Sequence, residues 1–269
     1  MFPFKNIDSL NAKGSKLSQL TDNASFDVQI FCDASEVGFG GHLTLDSTDE
    51  SGTNEVSGSW SNTESLQSST WRELEAVDRV LKSSVDRTKG KSVKIYTDNK
   101  NVSQMLKVGS RKTYLQQKAL SVLNTCRDYS VVMSCDWIPR EENMKADLLS
   151  RQSDCDDWGI EHWVYAYLSK LWGNFTFDRF VSDYNTKCDR FNSKFYCVGT
   201  SGIDAFKYNW SGENNWLVPP PTLIPKVINK LKREKCEGTL VIPEWKSAPY
   251  WCMLTHNSKF SEFVKDCRY

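Results

Sequence analysis

The chain has 269 residues, of which 39% are hydrophobic and 12% aromatic, which excludes wholesale disorder and allows one large or two modest folded domains. Its 34 basic and 34 acidic side chains leave no net charge, which argues against a stand-alone nucleic-acid binder, since such proteins usually carry a basic excess. Nine cysteines without a Cys-x-x-Cys pair, no signal peptide and no apolar run near the roughly 20 residues that span a bilayer indicate an intracellular protein, cytoplasmic or nuclear, with no membrane partner.

The first half of the chain predicts an α/β domain behind a polar leader at 1–24. Strands are predicted at 26–31, 37–45 and 55–60, with a Ser/Thr/Asp/Gly loop over 46–54. Helices are predicted at 71–85, 99–108, 114–129 and 142–150, and further strands at 93–97 and 130–137. Ser68, Ser69 and Thr70 are candidate caps of the first helix. Three strands followed by alternating helices and strands predict a mixed five-stranded sheet flanked by helices.

The second half of the chain has a different character. It begins with an acidic break at 154–157, is rich in aromatic residues and contains Pro219-Pro220-Pro221. A basic helix is predicted at 225–235 and an apolar strand at 239–243. We therefore expect three parts: the leader at 1–24, a domain over 25–152 and a second α/β domain over 153–269.

Four carboxylates occupy notable positions in the first domain: Asp33, Glu73, Asp98 and Asp147. Two of them end predicted strands, and the other two lie in predicted helices. A fold that gathers them would hold four negative charges in one pocket, which requires neutralising divalent cations. Glu73 and Glu75 are two residues apart and project to nearly opposite sides of their helix, so only one can face the pocket. We expect Glu75 to lie at the surface, solvated or in a salt bridge.

The motifs around these residues resemble the ribonuclease H domain of reverse-transcribing elements. They are Asp33-Ala34-Ser35 with Gly38-Phe39-Gly40, Trp60-Ser61, Arg72-Glu73-Leu74, Thr97-Asp98-Asn99, and Trp137-Ile138-Pro139-Arg140 leading to Ala146-Asp147-Leu148. Their order and spacing match across 25–152. The resemblance is greatest to retrotransposons of the tyrosine-recombinase class, the DIRS and Ngaro type, in which a reverse transcriptase precedes this domain. A reverse transcriptase, in cis or in trans, is therefore an expected partner.

This resemblance implies a ribonuclease that cuts the RNA strand of RNA–DNA hybrids and leaves 3′-hydroxyl and 5′-phosphate ends. Asp33, Glu73, Asp98 and Asp147 would hold two Mg²⁺ ions roughly 4 Å apart, with Mn²⁺ as a substitute. Cellular ribonucleases H carry a histidine in the loop before the last aspartate, and this chain has none between Trp137 and Asp147. Candidate nucleic-acid contacts are Ser35, Gly38 and Asn99, which turn geometry explains equally well. A basic run that could hold a phosphate backbone, although a solvated helix–loop face is its commoner meaning, consists of Lys107, Arg111, Lys112 and Lys118. Trp60 and Trp137 are interpreted as packing rings.

The second half resembles the adenine-methyltransferase-like domain that follows ribonuclease H in those elements. The resemblance lies in 177–187, in Asn215-Trp216-Leu217-Val218-Pro219-Pro220-Pro221 and in 241–245. In that family an acidic or amide residue, two prolines and an aromatic residue hold a flipped adenine. Here Val218 and Pro221 take the first and last places, and neither can perform that role. The resemblance thus implies a Rossmann-like relic without methyltransferase activity.

Two functions of different classes follow from the sequence. The first is the metal-dependent hybrid ribonuclease. The alternative is a catalytically silent, domesticated module that binds nucleic acid or protein, which the zero net charge and the altered second half favour. DNA strand transfer on the same scaffold lacks support from the Trp71-Arg72-Glu73-Leu74 motif, and an active methyltransferase is the weakest hypothesis.

Overall fold

The computed structural model describes residues 25–45, 54–152, 158–257 and 259–269. The predicted leader, most of the loop at 46–54 and the acidic break at 154–157 lie outside the described residues. The chain divides into two compact units. Of the described residues, the first unit holds 25–35, 40–45, 54–55 and 68–149, and the second holds 36–39, 56–67, 150–152, 158–257 and 259–269.

A five-stranded sheet with strand order β3-β2-β1-β4-β5 lies in the first half of the chain. Its strands are β1 (Val28–Ala34), β2 (Gly38–Leu45), β3 (Glu55–Ser59), β4 (Ser92–Thr97) and β5 (Val132–Trp137). The pairs β1–β4 and β4–β5 are parallel. β2 and β3 are antiparallel. Trp60 N donates to Val37 O at one end of the pair, and Leu43 N donates to Asn54 O at the other end. The mixed five-stranded sheet is thus confirmed.

Helices follow the strands as the sequence predicts, with small shifts at their ends. They are α1 (Asn62–Ser65), α2 (Ser69–Ser83), α3 (Val85–Thr88), α4 (Lys100–Val108), α5 (Thr113–Asp128) and α6 (Met144–Arg151). The hydroxyl of Ser68 accepts a hydrogen bond from Trp71 N at 3.3 Å and caps α2 as predicted. The short helices α1 and α3 are additions that the hydrophobic pattern did not indicate.

The position of α2 follows from its apolar stripe. Leu74, Val77, Val80 and Leu81 are almost fully buried, and the helix packs against β1 and α5. Burial of one such side chain contributes about 1.5–3 kcal/mol. This packing fixes the rotation of α2 about its axis, and therefore which of its acidic side chains faces the ends of the central strands.

The second unit has small sheets and its own buried clusters. Its strands are β6 (Phe177–Asp178), β7 (Asn192–Ser193), β8 (Gly202–Ile203), β9 (Asn214–Leu217), β10 (Glu237–Leu240), β11 (Thr255–His256) and β12 (Lys259–Phe260). β10, β9 and β6 form a parallel three-stranded sheet. Its longer helices are α7 (His162–Trp172), α8 (Ile224–Glu234) and α9 (Pro249–Leu254). The methyltransferase-like character of this unit stays a prediction.

Two elements of the second unit differ from expectation. The strand predicted at 239–243 is Glu237–Leu240, whereas the basic helix agrees within one residue at each end. Helix α7 was not predicted, because its many aromatic residues are weak helix formers. It forms because Leu168, with Val164 and Tyr165, packs into a cluster around Trp216. None of the helices within the described ranges is long and apolar enough to cross a bilayer.

Candidate active site

Three of the four predicted carboxylates meet at one edge of the sheet. β1 and β4 are parallel, with Cys32 opposite Thr97, so Asp33 and Asp98 come next at the same ends of adjacent strands. Glu73 reaches the same place from α2. One oxygen from each of these three carboxylates lies within 4.8 Å of the others. The convergence of Asp33, Glu73 and Asp98 agrees with the sequence prediction.

The surroundings of Glu73 strongly perturb its carboxyl group. Its side chain is buried, and its Oε2 has no hydrogen-bond partner among the described residues. Burial, together with the charges of Asp33 and Asp98, raises the pKa of Glu73 to about 9. The pKa of Asp98 is also raised, mainly by burial; Arg140 opposes this rise and Asp147 adds to it. Full ionisation of the group is therefore unfavourable without a cation.

These residues fit a divalent metal ion. Carboxylate oxygens are the ligands that hard cations such as Mg²⁺ prefer, and a buried oxygen without a partner is available on Glu73. The three acids come from rigid elements, two strand ends and a helix, so the donor set is held in place by the fold. Asp33, Glu73 and Asp98 are thus the residues that could hold a metal.

Asp147, the fourth predicted carboxylate, is not in this group of three. It lies on α6, and its Oδ1 accepts a hydrogen bond from Arg140 Nη2 at 2.6 Å. It is close enough to Asp98 to raise the pKa of that residue. The structure thus places Asp147 beside the cluster and in an ion pair, and its role as a shared metal ligand stays a prediction.

The segment that carries Asp147 is anchored to β1. Asn143 is fully buried, and its Nδ2 donates to the carbonyl oxygen of Cys32 at 2.9 Å. The carbonyl of Asn143 in turn accepts from Asp147 N at 3.1 Å, at the start of α6. Through its side chain and its backbone carbonyl, Asn143 therefore joins β1, which contains Asp33, to the helix that carries Asp147.

Trp137 has a role that the sequence analysis missed. Its ring is 41% exposed and is therefore not the packing ring that was expected, unlike Trp60, which is buried. Its Nε1 donates to the backbone oxygen of Asp98 at 2.9 Å, and Lys100 Nζ lies 4.3 Å from its ring centroid. The signal was available, because Trp137 ends the strand next to the one that leads to Asp98.

Glu75 faces the other side of α2, as expected, but it is not at the surface. It is 2% exposed and forms ion pairs with Arg79 and Lys118. Burial alone would raise its pKa, but Lys118 and Arg79 outweigh this effect and lower it. The expectation of a surface residue was wrong because Lys118, which completes the pair, is distant in sequence and comes from α5.

The candidate nucleic-acid contacts have structural roles that the fold accounts for. The side chain of Asn99 accepts from Asn101 N and Val102 N and so caps α4. A Cβ on Gly38 would lie 2.4 Å from Gly58 O, so glycine is required by close backbone approach. Ser35 is buried.

The basic candidates differ in how they are engaged. Lys107 pairs with Asp136 at 2.8 Å, and Lys118 pairs with buried Glu75 while lying over the ring of Trp71. Arg111 and Lys112 are exposed between α4 and α5. Contact of any of these residues with nucleic acid stays a prediction.

Comparison with known proteins agrees with this architecture. Residues 23–125 match the family model described as "RNase H-like domain found in reverse transcriptase". The match is less than half of the chain; it includes Asp33, Glu73 and Asp98 and ends before Asp147. The first half of the chain is thus an α/β domain of the RNase H-like class. More particularly, residues 23–125 are similar to the RNase H-like domain found in reverse transcriptases. No curated protein matches the chain.

Several solved structures resemble part of the chain. LC11-RNase H1 in complex with an RNA/DNA hybrid is 21% identical, with a TM-score of 0.37, covering 45% of this chain and 92% of that one. RNase H1 from Halobacterium salinarum NRC-1 is 19% identical, with a TM-score of 0.37 and coverage of 45% and 92%. The prototype foamy virus protease-reverse transcriptase is 14% identical, with a TM-score of 0.35, covering 53% of this chain and 22% of that one.

Proposed function

We propose that this protein is a divalent-metal-dependent endonuclease that cleaves the RNA strand of RNA–DNA hybrids. The observation that carries the proposal is the convergence of Asp33, Glu73 and Asp98 within 4.8 Å, at one edge of an RNase H-like sheet. Like charges at this spacing are unfavourable for an isolated protein, and they are suited to binding a cation next to a phosphodiester.

Each residue of the site has a part in this proposal. Asp33, Glu73 and Asp98 hold the metal, which we propose to be two Mg²⁺ ions with Mn²⁺ as a substitute, and Asp147 completes the ligand set. Bound divalent ions supply a water of lowered pKa and neutralise the charge that develops on the departing oxygen. Trp137 fixes the backbone of Asp98 through its indole N–H, so that the carboxylate keeps its position when substrate enters.

The proposed substrate follows from the class of the domain. The family model describes reverse transcriptases, and LC11-RNase H1 is described in complex with an RNA/DNA hybrid. A ribonuclease of this class recognises RNA by its 2′-hydroxyl and by the groove of the hybrid. We propose that the products carry 3′-hydroxyl and 5′-phosphate ends, and that a reverse transcriptase, in cis or in trans, supplies the hybrid.

Cleavage of a labelled RNA–DNA hybrid in Mg²⁺ tests this function. Asp98→Asn and Asp33→Asn should each lower the rate by more than about 100-fold, because each removes one ligand charge. Asp128→Asn is the matched control, because Asp128 is an exposed acid paired with Arg127. Absence of cleavage by the folded wild-type protein in both Mg²⁺ and Mn²⁺, with native circular dichroism, would reject the enzyme.

The second candidate is a catalytically silent module that binds nucleic acid or protein. The ion pair between Arg140 and Asp147 favours it, because an acid already neutralised by the chain has less need of a metal. The zero net charge adds to this. Hybrid binding that is unchanged by Asp33→Asn and Asp98→Asn, with no cleavage by any form, would select this function over the nuclease.

We further propose an origin in a retrotransposon of the tyrosine-recombinase class, with an intracellular location and with 153–269 as an inactive methyltransferase-like domain. The order of motifs in both halves supports this, and so does the parallel sheet of β10, β9 and β6. Titration of the full chain with S-adenosylmethionine should give no binding heat. Measurable binding would reopen the question of methyltransferase activity.

A further inference from the structure

Arg140 stands at the edge of the carboxylate group with most of its side chain in solvent. Its Nη2 donates to Asp147 Oδ1 at 2.6 Å, and its side chain is 63% exposed. The guanidinium is therefore bonded to one acid of the site and is largely exposed to solvent.

The bond between Arg140 and Asp147 is one that a ligand can replace. Solvent-exposed ion pairs are weak, because water competes for both partners. A guanidinium binds a phosphate through two parallel hydrogen bonds, a geometry that a lysine cannot offer. Without bound cations, the acids of the site repel a phosphodiester, and a positive side chain beside them reduces that repulsion.

The position of Arg140 is fixed by its neighbours even though its side chain is exposed. It begins the 3-10 turn Arg140–Glu142, whose following residue is the fully buried Asn143. Asn143 is bonded to Cys32 O and to the start of α6. The turn is therefore held against β1, the strand that contains Asp33.

We propose that Arg140 is a phosphodiester-binding residue that exchanges Asp147 for a backbone phosphate of the bound hybrid. This inference rests on the proposed function and adds to it a coupling between substrate and ligand set. When Arg140 turns to the phosphate, Asp147 is released to join Asp33 and Asp98 around a divalent ion. Binding of the nucleic acid thus completes the set of carboxylates that hold the divalent ion.

Two measurements on full-length Arg140→Ala test this exchange, with Arg127→Ala as the matched control, since Arg127 also forms an exposed ion pair. The first is hybrid affinity by fluorescence anisotropy in Ca²⁺, at several salt concentrations, with a gel to show that the hybrid stays intact. The affinity of Arg140→Ala for the hybrid should fall about tenfold. The slope of log affinity against log salt concentration should become shallower by about one unit, because one phosphate contact is lost. Arg140→Lys should keep the salt dependence and recover only part of the affinity.

The second measurement is Mn²⁺ binding by electron paramagnetic resonance without nucleic acid. Arg140→Ala should bind Mn²⁺ about fivefold more tightly, because a positive charge is removed and Asp147 is released. The inference is overturned if Arg140→Ala keeps the hybrid affinity or the salt dependence of the wild type, or if it binds Mn²⁺ no more tightly. If the wild-type protein still cleaves the hybrid in that case, the proposed nuclease function stands. If the wild-type protein neither binds nor cuts the hybrid, the proposed function fails and this inference fails with it.

Discussion

Helix α2 places two glutamates in opposite electrostatic surroundings, although they are only two residues apart. Glu75 is buried beside Arg79 and Lys118, which lower its pKa. Glu73 is buried beside Asp33 and Asp98, and its pKa rises to about 9. The chain thus supplies its own cations to one buried carboxylate and gathers further acids around the other. This difference within one helix favours the interpretation that the surroundings of Glu73 suit a cation that is not part of the chain.

The largest expected effect comes from removing one of the two cationic partners of Glu75. Arg79→Ala should destabilise the protein by about 3–5 kcal/mol, because it leaves the buried charge of Glu75 with Lys118 alone. The measurement is the free energy of unfolding in urea. Arg127→Ala, which removes an exposed partner of Asp128, should change it by less than about 1 kcal/mol. Equal effects of the two variants would show that the Glu75 network is not a buried ion pair in solution.

The pH dependence of stability distinguishes the two glutamates by sign. The folded pKa of Glu73 is above its unfolded value of 4.5. Between about pH 4.5 and 9 the unfolded chain therefore loses this proton while the folded chain keeps it, and stability falls by up to about 1.4 kcal/mol per pH unit. Glu73→Gln removes this pH dependence. In metal-free buffer, the free energy of unfolding of the variant should therefore exceed that of wild type by a margin that increases from pH 5.5 to 8.5.

Glu75→Gln is the matched control for this pH series. The pKa of Glu75 is lowered on folding, so its contribution to stability is present above its unfolded pKa and is lost in acid. Glu75→Gln should therefore be destabilising at pH 8.5. At that pH, Mg²⁺ should raise the stability of wild type and leave Glu73→Gln nearly unchanged. Parallel pH profiles for wild type and Glu73→Gln would contradict the assignment of a raised pKa.

The smallest expected effect concerns the indole of Trp137. Trp137→Phe keeps an aromatic ring next to Lys100 and removes the hydrogen bond to Asp98 O, which should cost about 0.5–1.5 kcal/mol of stability. If Trp137 positions Asp98, the apparent Mg²⁺ affinity should also weaken, and this shift would not accompany a merely structural loss. Trp60→Phe serves as the comparison, because that buried ring lies in the other compact unit.

The parts of the site that were predictable are those governed by local rules. Strand ends placed Asp33 and Asp98 on one edge, and helical periodicity separated Glu73 from Glu75. The N-cap at Ser68 followed from residue type. Contacts between different elements were not predictable. Lys118 reaches Glu75 from another helix, and Arg140, in a 3-10 turn, reaches Asp147 in the helix that follows. In the second unit, α7 depends on tertiary packing that its aromatic sequence does not indicate.

The bond from Asn143 to Cys32 O spans 111 residues of sequence, and this separation has a consequence during synthesis. A nascent chain carries β1 out of the ribosome long before Asn143, the residue that links β1 to α6. Contacts of this range form late, because the intervening loop must be closed first. Ribosome-bound fragments that stop short of Asn143 should therefore carry three of the acids without the helix that supplies Asp147, and the full set of four can assemble only after that helix has been synthesised.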